Sequence, residues 1–312
     1  MIKYFEFETE IEKIETLLNQ LKKNQEINYD KIKKLNIEKD KLYKQIYSNL
    51  DAWQKVQVSR HGERPHSLNY INNIFKDIII LHGDKKYADD NAIVGGLAKI
   101  DGNSVFFIGT EKGSTMETRI KHNFGMAKPE GYRKVQRLLK LAEKFNLPLI
   151  SFVDTAGAFP GKDAEERGQS ESIASSILYF LRTKIPTISI IIGEGGSGGA
   201  IGIATSDRVL MLEHSIYSVI SPEGCASILW RNTEFSQEAA KTLKLTSEDC
   251  KNFKIIDDII PEPYGGAHRH PMKQADLLKE KIINLISELK QFSIKELVQI
   301  RKEKYLNITS DI

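Results

Sequence analysis

Cysteine is scarce in this chain, with two thiols, Cys225 and Cys250, in 312 residues. The two could pair in principle, but this usage is more typical of free thiols in a reducing compartment than of a disulfide scaffold. CxxC and HExxH patterns and Cys/His clusters are absent. The close pair His268 and His270 lacks a third ligand, so we expect surface polar chemistry there and no metal site in this chain.

Long hydrophobic runs and an excess of one charge are also missing. The net charge of +3 gives no electrostatic footprint for nucleic acid or a membrane surface. The apolar runs are too short for a transmembrane helix. The first residues, MIKYFEFETEIEKIE, are acidic and amphipathic, unlike a secretory signal or a transit peptide. We therefore expect no membrane or nucleic-acid partner, and a location in the cytoplasm or, in an organelle, the plastid stroma.

Two helical patterns cover residues 8–56. Apolar residues recur at helical spacing from Ile11 to Leu21, and after the linker NQEINYD a second helix is expected from Lys31 to Leu50. This segment carries no evident chemistry, and an αα-hairpin packed on the rest of the chain or on a partner is the simplest interpretation. We treat residues 1–56 as an N-terminal helical arm.

Strands alternate with helices from about Ala92 onward. IVGGLAKI and SVFFIGT read as strands joined by a DGN turn, and LPLISFVDT, PTISIIIG, RVLMLEHS and IYSVIS as further strands. Helices are expected over PEGYRKVQRLLKLAEKFN, from Asp163 to Leu181, and from Pro271 to the end. This alternation predicts an α/β fold with parallel β/α units, as a central domain over residues 57–270 and a C-terminal helical extension over 271–312.

Two strand exits are small and rich in glycine. LPLISFVDT is followed by AGAFPG (Ala156–Gly161), and PTISIII is followed by GEGGSGGA, residues 193–200, in which five of eight residues are glycine. In open α/β folds, ligands bind at the carboxyl ends of the strands. The two exits are therefore the candidate site.

The glycines of GEGGSGGA admit several interpretations. A P-loop is excluded, because Gly199 and Ala200 stand where the phosphate-binding Lys and the Ser/Thr are required. A GxGxxG spacing is present, but the following helix is short for a dinucleotide fold and no ribose-binding acid follows at the right distance. Ser197 lies in a literal GxSxG, which leaves a serine hydrolase open, although no His can be assigned as its partner.

An oxyanion hole is the interpretation that we favour. The N–H groups of Gly198 and Gly199, with Ala200 adjoining, would point from the start of a short helix at an oxygen that gains negative charge. Close packing of strand on helix is the structural alternative, and we expect it to account for one or two of the five glycines. No general base is evident, which suits a reaction whose reagents carry their own.

The chain closely resembles the α subunit of the carboxyltransferase component of bacterial-type, multisubunit acetyl-coenzyme A carboxylase. The stretches that carry the resemblance are long, occur in order and span residues 50 to 270. They are RHGERPHSLNYI (60–71), GDKKYADDNAIVGG (83–96), NFGMAKPEGYRK (123–134), FVDTAGAFPG (152–161), AEERGQSE (164–171), IGEGGSGGAIGI (192–203), YSVISPEGCASILW (217–230) and IIPEPYGGAHR (259–269).

The resemblance implies a crotonase-type fold of β-β-α repeats and transfer of a carboxyl group from carboxybiotin, on the biotin carboxyl carrier protein, to acetyl-coenzyme A. The product would be malonyl-coenzyme A, the first committed compound of fatty acid synthesis. The implied partner is a β subunit that holds the zinc site and most of the coenzyme A, in an assembly of two α and two β chains. ATP would be used by the separate biotin carboxylase component, and activity would require the β subunit.

The resemblance also implies which residues form the site. The oxyanion donors map to Gly198 and Gly199, expected to serve the ureido oxygen of biotin. The biotin pocket would be formed by Asp154, Thr155, Ala156, Gly157, Phe159, Gly161, Gly195, Gly196 and Ser197. The family usually has Pro at the place of Ala156 and Tyr at that of Phe159, and the second change removes a hydroxyl.

Two other function classes remain open at this stage. A crotonase-like scaffold would organise a partner without chemistry, although it would gain nothing from exposed N–H groups. A stand-alone acyl-coenzyme A hydratase or isomerase would need acidic residues in the pocket, and none can be assigned. The sequence also contains a basic stretch, formed by Arg119, Lys121, Arg133 and Lys134. These side chains could simply be solvated, or they could contact the phosphates of coenzyme A or the carrier protein.

Overall fold

The computed structural model describes residues 3–22 and 28–310. The linker expected at 24–30 falls largely outside these residues. The helical arm contains α1 (Thr9–Leu21), α2 (Tyr29–Tyr47) and α3 (Ala52–Ser59). Ile11, Tyr43 and Tyr47 form a small core with part of α3. Glu8 Oε1 accepts hydrogen bonds from Tyr47 Oη at 2.8 Å and Arg269 Nη2 at 2.9 Å, which ties the arm to the rest of the chain.

An eight-stranded mixed sheet forms the centre of the described chain. Its strands are β1 (Lys76–Ile80), β2 (Ile93–Ile100), β3 (Asn103–Thr110), β4 (Leu149–Thr155), β5 (Thr187–Gly196), β6 (Arg208–Leu212), β7 (Ile216–Ser218) and β8 (Asp258–Ile260). The order is β1-β2-β3-β4-β5-β6-β8, and β7 pairs with the distal end of β5. β1, β2 and β3 are antiparallel, whereas all later pairings are parallel. The carboxyl ends of β4 and β5 therefore meet at one edge.

Helices cover both faces of the sheet. They are α4 (Ser67–Ile74), α5 (Met116–Lys121), α6 (Pro129–Lys144), α7 (Lys162–Glu166), α8 (Gln169–Arg182), α9 (Ser197–Ala204), α10 (Pro222–Trp230), α11 (Ser236–Thr242), α12 (Ser247–Asn252), α13 (Pro271–Leu289) and α14 (Ile294–Leu306). Alternate residues of each strand enter opposite cores, as the two-residue period of a strand requires. Phe107 and Ile150 face a core completed by α4 and α13, and Phe106 and Leu149 face one completed by α6 and α9.

At two places the structure has a pair of helices where the sequence predicts a single helix. The segment after residue 161 is divided into α7 and α8 at Gly168, whose φ of +80° stops the first helix. The C-terminal segment is divided at residues 290–293, and Ser293 caps α14 through its side chain, which accepts from the N–H of Glu296. None of the helices in the described ranges is both long and apolar enough to cross a membrane.

The C-terminal helices are anchored to the sheet. Leu278, Ile282 and Leu285 of α13 belong to the same core as β3 to β6. Arg301 of α14 is fully buried and forms a two-pronged ion pair with Asp207, at 2.8 Å for both nitrogen–oxygen pairs. The division of the chain at residues 56 and 270 stays a prediction.

Candidate functional site

The glycine-rich segment is part strand and part helix. β5 continues through Gly195 and Gly196, which pair with Tyr217 and Ser218 of β7. α9 begins at Ser197, whose φ of +48° turns the chain from strand into helix. The strand was expected over PTISIIIG, which ends at Gly193; it continues to Gly196 because the short strand β7 provides ladder partners for residues 194–196.

Close packing explains four of the five glycines. Cβ atoms built on them would lie 2.2 to 2.8 Å from the nearest atoms, distances that real side chains do not adopt. The obstructing groups are the Asp154 carboxylate for Gly193, the Tyr217 ring for Gly195, and the backbone of residues 156–158 for Gly196 and Gly199. Packing therefore accounts for more of the glycines than the one or two that the sequence suggested.

Gly198 is the exception. A Cβ at this position would come no closer than 3.5 Å to another atom, on Ile173, which is ordinary van der Waals contact. Gly198 is the second residue of α9. The N-cap residue of this helix is Gly196, which has no side chain to accept hydrogen bonds from the first amides. The N–H groups of residues 197–199 come before the first intrahelical hydrogen bond, at the positive end of the helix dipole. The N–H groups of Gly198 and Gly199, the two predicted oxyanion donors, therefore have no partner within the helix, whereas the N–H of Ala200 can bond within it.

An apolar recess opens beside these donors. Its volume is about 310 Å³, and it is lined by Ser197, Gly198, Ile201, Tyr217, Ser218, Val219 and Ile255. Val219 is 74% exposed and Ile201 is 43% exposed. The side chains of Val219 and Ile201, both in the lining of the recess, are therefore exposed to solvent in the isolated chain.

The exit of β4 lies directly against the glycine turn. Thr155 pairs with Gly195 across β4 and β5. Its hydroxyl donates to the carbonyl of Gly157 at 2.8 Å and accepts from the Gly157 N–H at 3.1 Å, which closes a tight turn. Ala156 is exposed at the top of this turn. The structure thus brings Thr155, Ala156 and Gly157 together with the start of α9.

Other predicted pocket residues lie farther from the recess. Phe159 packs under the ammonium group of Lys128, 5.0 Å from the ring centroid. Gly161 precedes α7, and a Cβ on it would lie 2.2 Å from the Phe159 ring. Neither of them lines the apolar recess. Asp154 is buried beneath the turn, and its carboxylate is engaged by other side chains. The binding roles of these three residues stay predictions.

A buried chain of charges joins the two strand exits. Lys112 Nζ lies 2.8 Å from Asp154 Oδ1, at the end of β4, and 2.6 Å from Glu194 Oε2, on β5. Glu194 Oε1 accepts from Arg60 Nε at 2.6 Å. His66 Nδ1 lies 2.8 Å from Asp154 Oδ2, and Asp154 Oδ1 also accepts from the N–H of Glu194 at 3.0 Å. The ends of β4 and β5 are therefore held together by ionic contacts.

The two carboxylates of this network are held in the ionised form. Burial alone would raise the pKa of Asp154, but the Lys112 charge and the His66 hydrogen bond outweigh it, so the pKa lies below its usual range. Burial also opposes ionisation of Glu194, but Lys112 and Arg60 hold its pKa below its usual range. Neither carboxyl group is set up to donate a proton at neutral pH.

A second, polar recess adjoins this network. It has a volume of about 230 Å³ and is lined by Ser59, Arg60, His61, His66, Lys112, Arg119, Phe124, Ala156 and Glu194. A narrow cleft of about 40 Å³ shares Arg60, Ala156 and Glu194 with it and reaches Gly195, Gly196 and Ser218. Ser218 also lines the apolar recess, so the three recesses are neighbours across the strand ends, and we refer to them together as the groove.

Sequence reasoning missed the charged residues of this groove. Arg60 and His66 lie in the stretch RHGERPH, which carried the resemblance but received no role, and Glu194 stands inside the glycine segment itself. Lys112 follows β3 with no local signal. Of the basic stretch singled out, Arg133 and Lys134 are paired internally with Asp84 and Asp89, whereas Arg119 reaches the polar recess.

Solved structures share this fold. The chain superposes on transcarboxylase 12S, solved with methylmalonyl-coenzyme A and methylmalonic acid bound, with a TM-score of 0.59 and 19% identity over 74% of this chain and 42% of that one. It also superposes on a chain of a Pseudomonas malonate decarboxylase hetero-tetramer in complex with coenzyme A, with a TM-score of 0.54 and 13% identity over 65% and 82% of the two chains. The expected fold class is confirmed: it is the crotonase-like fold of carboxyltransferases.

Sequence comparison narrows the class to a family. The profile of the family described as acetyl co-enzyme A carboxylase carboxyltransferase-like matches residues 4–309. Acetyl-coenzyme A carboxylase carboxyl transferase subunit alpha of Rhodospirillum centenum is 52% identical over 98% of both chains, and that of Paramagnetospirillum magneticum is 50% identical over 97% of both. The chain belongs to this family of carboxyltransferases, and the resemblance seen in the sequence is confirmed. The designation alpha describes those relatives as parts of a multisubunit enzyme.

Proposed function

We propose that this chain contributes the carboxybiotin side of an acetyl-coenzyme A carboxyltransferase, in which a carboxyl group passes from biotin on a carrier protein to acetyl-coenzyme A. Malonyl-coenzyme A is the product, which places the reaction at the start of fatty acid synthesis. The observation that carries the proposal is the pair of helix-start donors, Gly198 and Gly199, beside an apolar recess with room at Gly198. Family membership supports the reaction, and the helix-start amides support the position that we propose for it.

The N–H groups stabilise an oxygen that gains charge during transfer. When the carboxyl group leaves the biotin nitrogen, electron density moves onto the ureido oxygen, which two backbone donors can stabilise. The released nitrogen can accept the proton from the methyl group of acetyl-coenzyme A, so no protein base is required. Among the described residues Glu194 is the one carboxylate that lines the groove, and it supports this division of labour because both its oxygens are engaged by cations.

A second chain is needed to close the site. The apolar recess is open, and α10, which begins next to it, exposes Ile228 (70%) and Leu229 (63%). We assign the cover to a carboxyltransferase β subunit, which would bind most of the coenzyme A and any structural zinc, in an assembly of two α and two β chains. The biotin carboxyl carrier protein and biotin carboxylase complete the proposed set of partners. Expulsion of water on closure would strengthen the amide–oxyanion interaction.

The paired variants Gly198→Ala and Gly199→Ala test the assignment. Malonyl-coenzyme A decarboxylation with biotin methyl ester as acceptor would be measured for the chain alone, for the chain with a β subunit, and for each variant with β. We expect activity only in the presence of β. Gly198→Ala should fold normally yet lose at least about tenfold in kcat/KM. The substitution keeps the N–H, but its methyl group enters the recess and would hold the oxygen away from a donor, an interaction worth about 10²–10³ in other enzymes.

Gly198→Val in an assembled complex is the stronger form of the same test. Full activity of Gly198→Val would refute the oxyanion assignment and direct attention to Ala156–Gly161. Activity of the isolated chain on enoyl-coenzyme A would favour a hydratase or isomerase instead. Absence of activity in every mixture would leave a scaffold role.

A further inference from the structure

A separate cavity lies between the helical arm and the start of α13. Its volume is about 440 Å³, within the range of about 300–1,000 Å³ that small-molecule sites occupy. Its lining comes from α1 and α2 on one side, and from the segment after β8 with the first turn of α13 on the other. None of the lining residues belongs to the groove. A ligand bound here would therefore bridge the arm and the rest of the chain.

The cations of this cavity have few partners within the chain. Lys39 on α2 and Lys273 on α13 line it, and neither forms an ion pair with another residue that the structure describes. Burial lowers the pKa of the His270 imidazole, and the positive charges of Lys273 and Arg269 lower it further. Positive charge is thus concentrated on this wall, where a bound anion would relieve the mutual repulsion.

Arg269 supplies a buried donor. Its side chain is 7% exposed, and its Nη2 donates to Glu8 Oε1 at 2.9 Å. The guanidinium lies 4.8 and 5.3 Å from the ring centroids of Tyr4 and Tyr43. Nε is buried and has no hydrogen-bond partner among the described residues, although Arg269 lines the cavity. A buried N–H of this kind requires an acceptor, and an oxygen of a ligand would supply one.

The start of α13 adds backbone donors. His270 is the N-cap residue, and its side chain forms no capping hydrogen bond. The bond from the N–H of Gln274 to the carbonyl of His270, at 3.0 Å, is the first of the helix. The N–H groups of Met272 and Lys273 precede it, at the positive end of a 19-residue helix whose first turn has no acidic residue. Phosphate groups bind helix starts of this kind.

Two carboxylates also line the cavity, and they restrict what the ligand can be. Glu15 accepts hydrogen bonds from the hydroxyl groups of Tyr4 and Tyr43, the second at 3.0 Å, so both its oxygens are engaged by the arm. Asp40 has no hydrogen bond or ion pair within the described ranges, and it can accept from ligand hydroxyl groups. The ring of Tyr264, which is 50% exposed, offers an aromatic surface beside them.

We propose that this cavity binds the phosphate monoester of a small molecule that also carries hydroxyl groups, which describes a sugar phosphate or a nucleotide. The phosphate contacts Lys273, Arg269 Nε and the first amides of α13. On α2, Lys39 adds charge for the phosphate, and Asp40 accepts from the hydroxyl groups. The inference is independent of the proposed carboxyltransferase activity, because no residue of the groove takes part.

Isothermal titration of the full chain tests the site. The probes are inorganic phosphate, ribose 5-phosphate, adenosine 5′-monophosphate and adenosine, at matched ionic strength. Both esters should bind at one site per chain and more tightly than inorganic phosphate, which has no sugar hydroxyls for Asp40, and adenosine should not bind. Tighter binding of the nucleotide than of the sugar phosphate would identify a nucleotide site that uses Tyr264. Equal affinities of the two esters would identify a sugar phosphate site.

Single substitutions locate the binding. Lys39→Gln and Lys273→Gln should each weaken the binding of ribose 5-phosphate about fivefold, the loss of one charge-assisted contact that solvent partly screens. The matched controls, Lys34→Gln on α2 and Lys279→Gln on α13, remove the same charge outside the lining and should leave the affinity unchanged. Asp40→Asn should reduce the preference for ribose 5-phosphate over inorganic phosphate, because an amide is a weaker acceptor than a carboxylate.

Three results would overturn the inference. Failure of both esters to saturate the chain would exclude the site, and equal weakening by the lining and control substitutions would reduce the binding to surface charge. Binding of adenosine as tight as that of its monophosphate would show an aromatic pocket in place of an anion site. An unchanged preference in Asp40→Asn would overturn the assignment of the hydroxyl groups to Asp40.

Discussion

Replacement of Lys112 by Met should uncouple the two strand ends on which the site is built. Lys112 contacts Asp154 and Glu194 at 2.8 and 2.6 Å, and its side chain is 16% exposed. Methionine is similar in length but carries no charge, so the change leaves two buried carboxylates with less compensation. Asp154 retains His66, and Glu194 retains Arg60.

The magnitude follows from the burial of this network. Removal of one partner from a buried ion pair costs about 3–5 kcal/mol, and the lower end applies because each carboxylate retains a second partner. We expect a loss of about 3 kcal/mol in the free energy of unfolding, or roughly 5 °C in the unfolding midpoint for a chain of this size. Lys121→Met, on an exposed lysine with no ion pair among the residues that the structure describes, should cost less than about 0.5 kcal/mol.

The pH dependence gives the sharper measurement. The pKa values of Asp154 and Glu194 are depressed in the folded chain, so their stabilisation is present above the unfolded pKa of about 4 and is lost as the pH falls through the folded values. Without Lys112 both pKa values rise, and protonation relieves the uncompensated charge. Urea unfolding of wild type and Lys112→Met should therefore differ most near pH 7.5 and progressively less below pH 5. A constant difference across this range, or one under 1 kcal/mol at pH 7.5, would refute the network as described.

Further predictions concern the fold around the site. Gly199→Ala should lower the unfolding midpoint, because its Cβ would lie 2.5 Å from the backbone of Gly157, whereas Gly198→Ala should not. Arg301→Met should cost about 3–5 kcal/mol in urea unfolding by leaving Asp207 buried without its cation, while Lys302→Met next to it should be neutral. His268, expected at the surface, is buried, and this burial, with the charge of His61, lowers the pKa of its imidazole to about 2. Because His268 stays neutral when folded, stability should fall below about pH 6.5, by about 2 kcal/mol at pH 5, and His268→Phe should flatten this slope.

Strong periodicity made the long elements predictable. The β2–β3 hairpin, β4 and α6 were expected from sequence and lie where predicted to within a few residues. The strands β1 and β8 were not anticipated, because neither KDIII nor DII shows the alternation of apolar and polar residues that marks a half-buried strand. The break before α14 had a local signal, since Ser293 followed by Glu296 is a capping box, but the expected single helix overrode it.

Part of the candidate site was also accessible from sequence. Glycine content and the strand exits indicated Gly198, Gly199 and Ala156, which the structure brings together. The glycines were ascribed mainly to exposed N–H groups, whereas four of them are required by packing against the next strand exit. That distinction depends on what lies opposite each Cα, and a single sequence does not record it.

The sequence by itself determined the fold class, the family and the turn that presents free amides, because these follow from local patterns and from long matching stretches. Only the tertiary structure decided the charge network and the polar recess. Arg60, Lys112 and Glu194 are separated by 52 and 82 positions. Parallel strands bring the carboxyl ends that carry Lys112 and Glu194 to one edge, and Arg60 reaches them from the end of α3. Coulombic coupling depends on distance in space and on burial, and neither is written in the order of the residues.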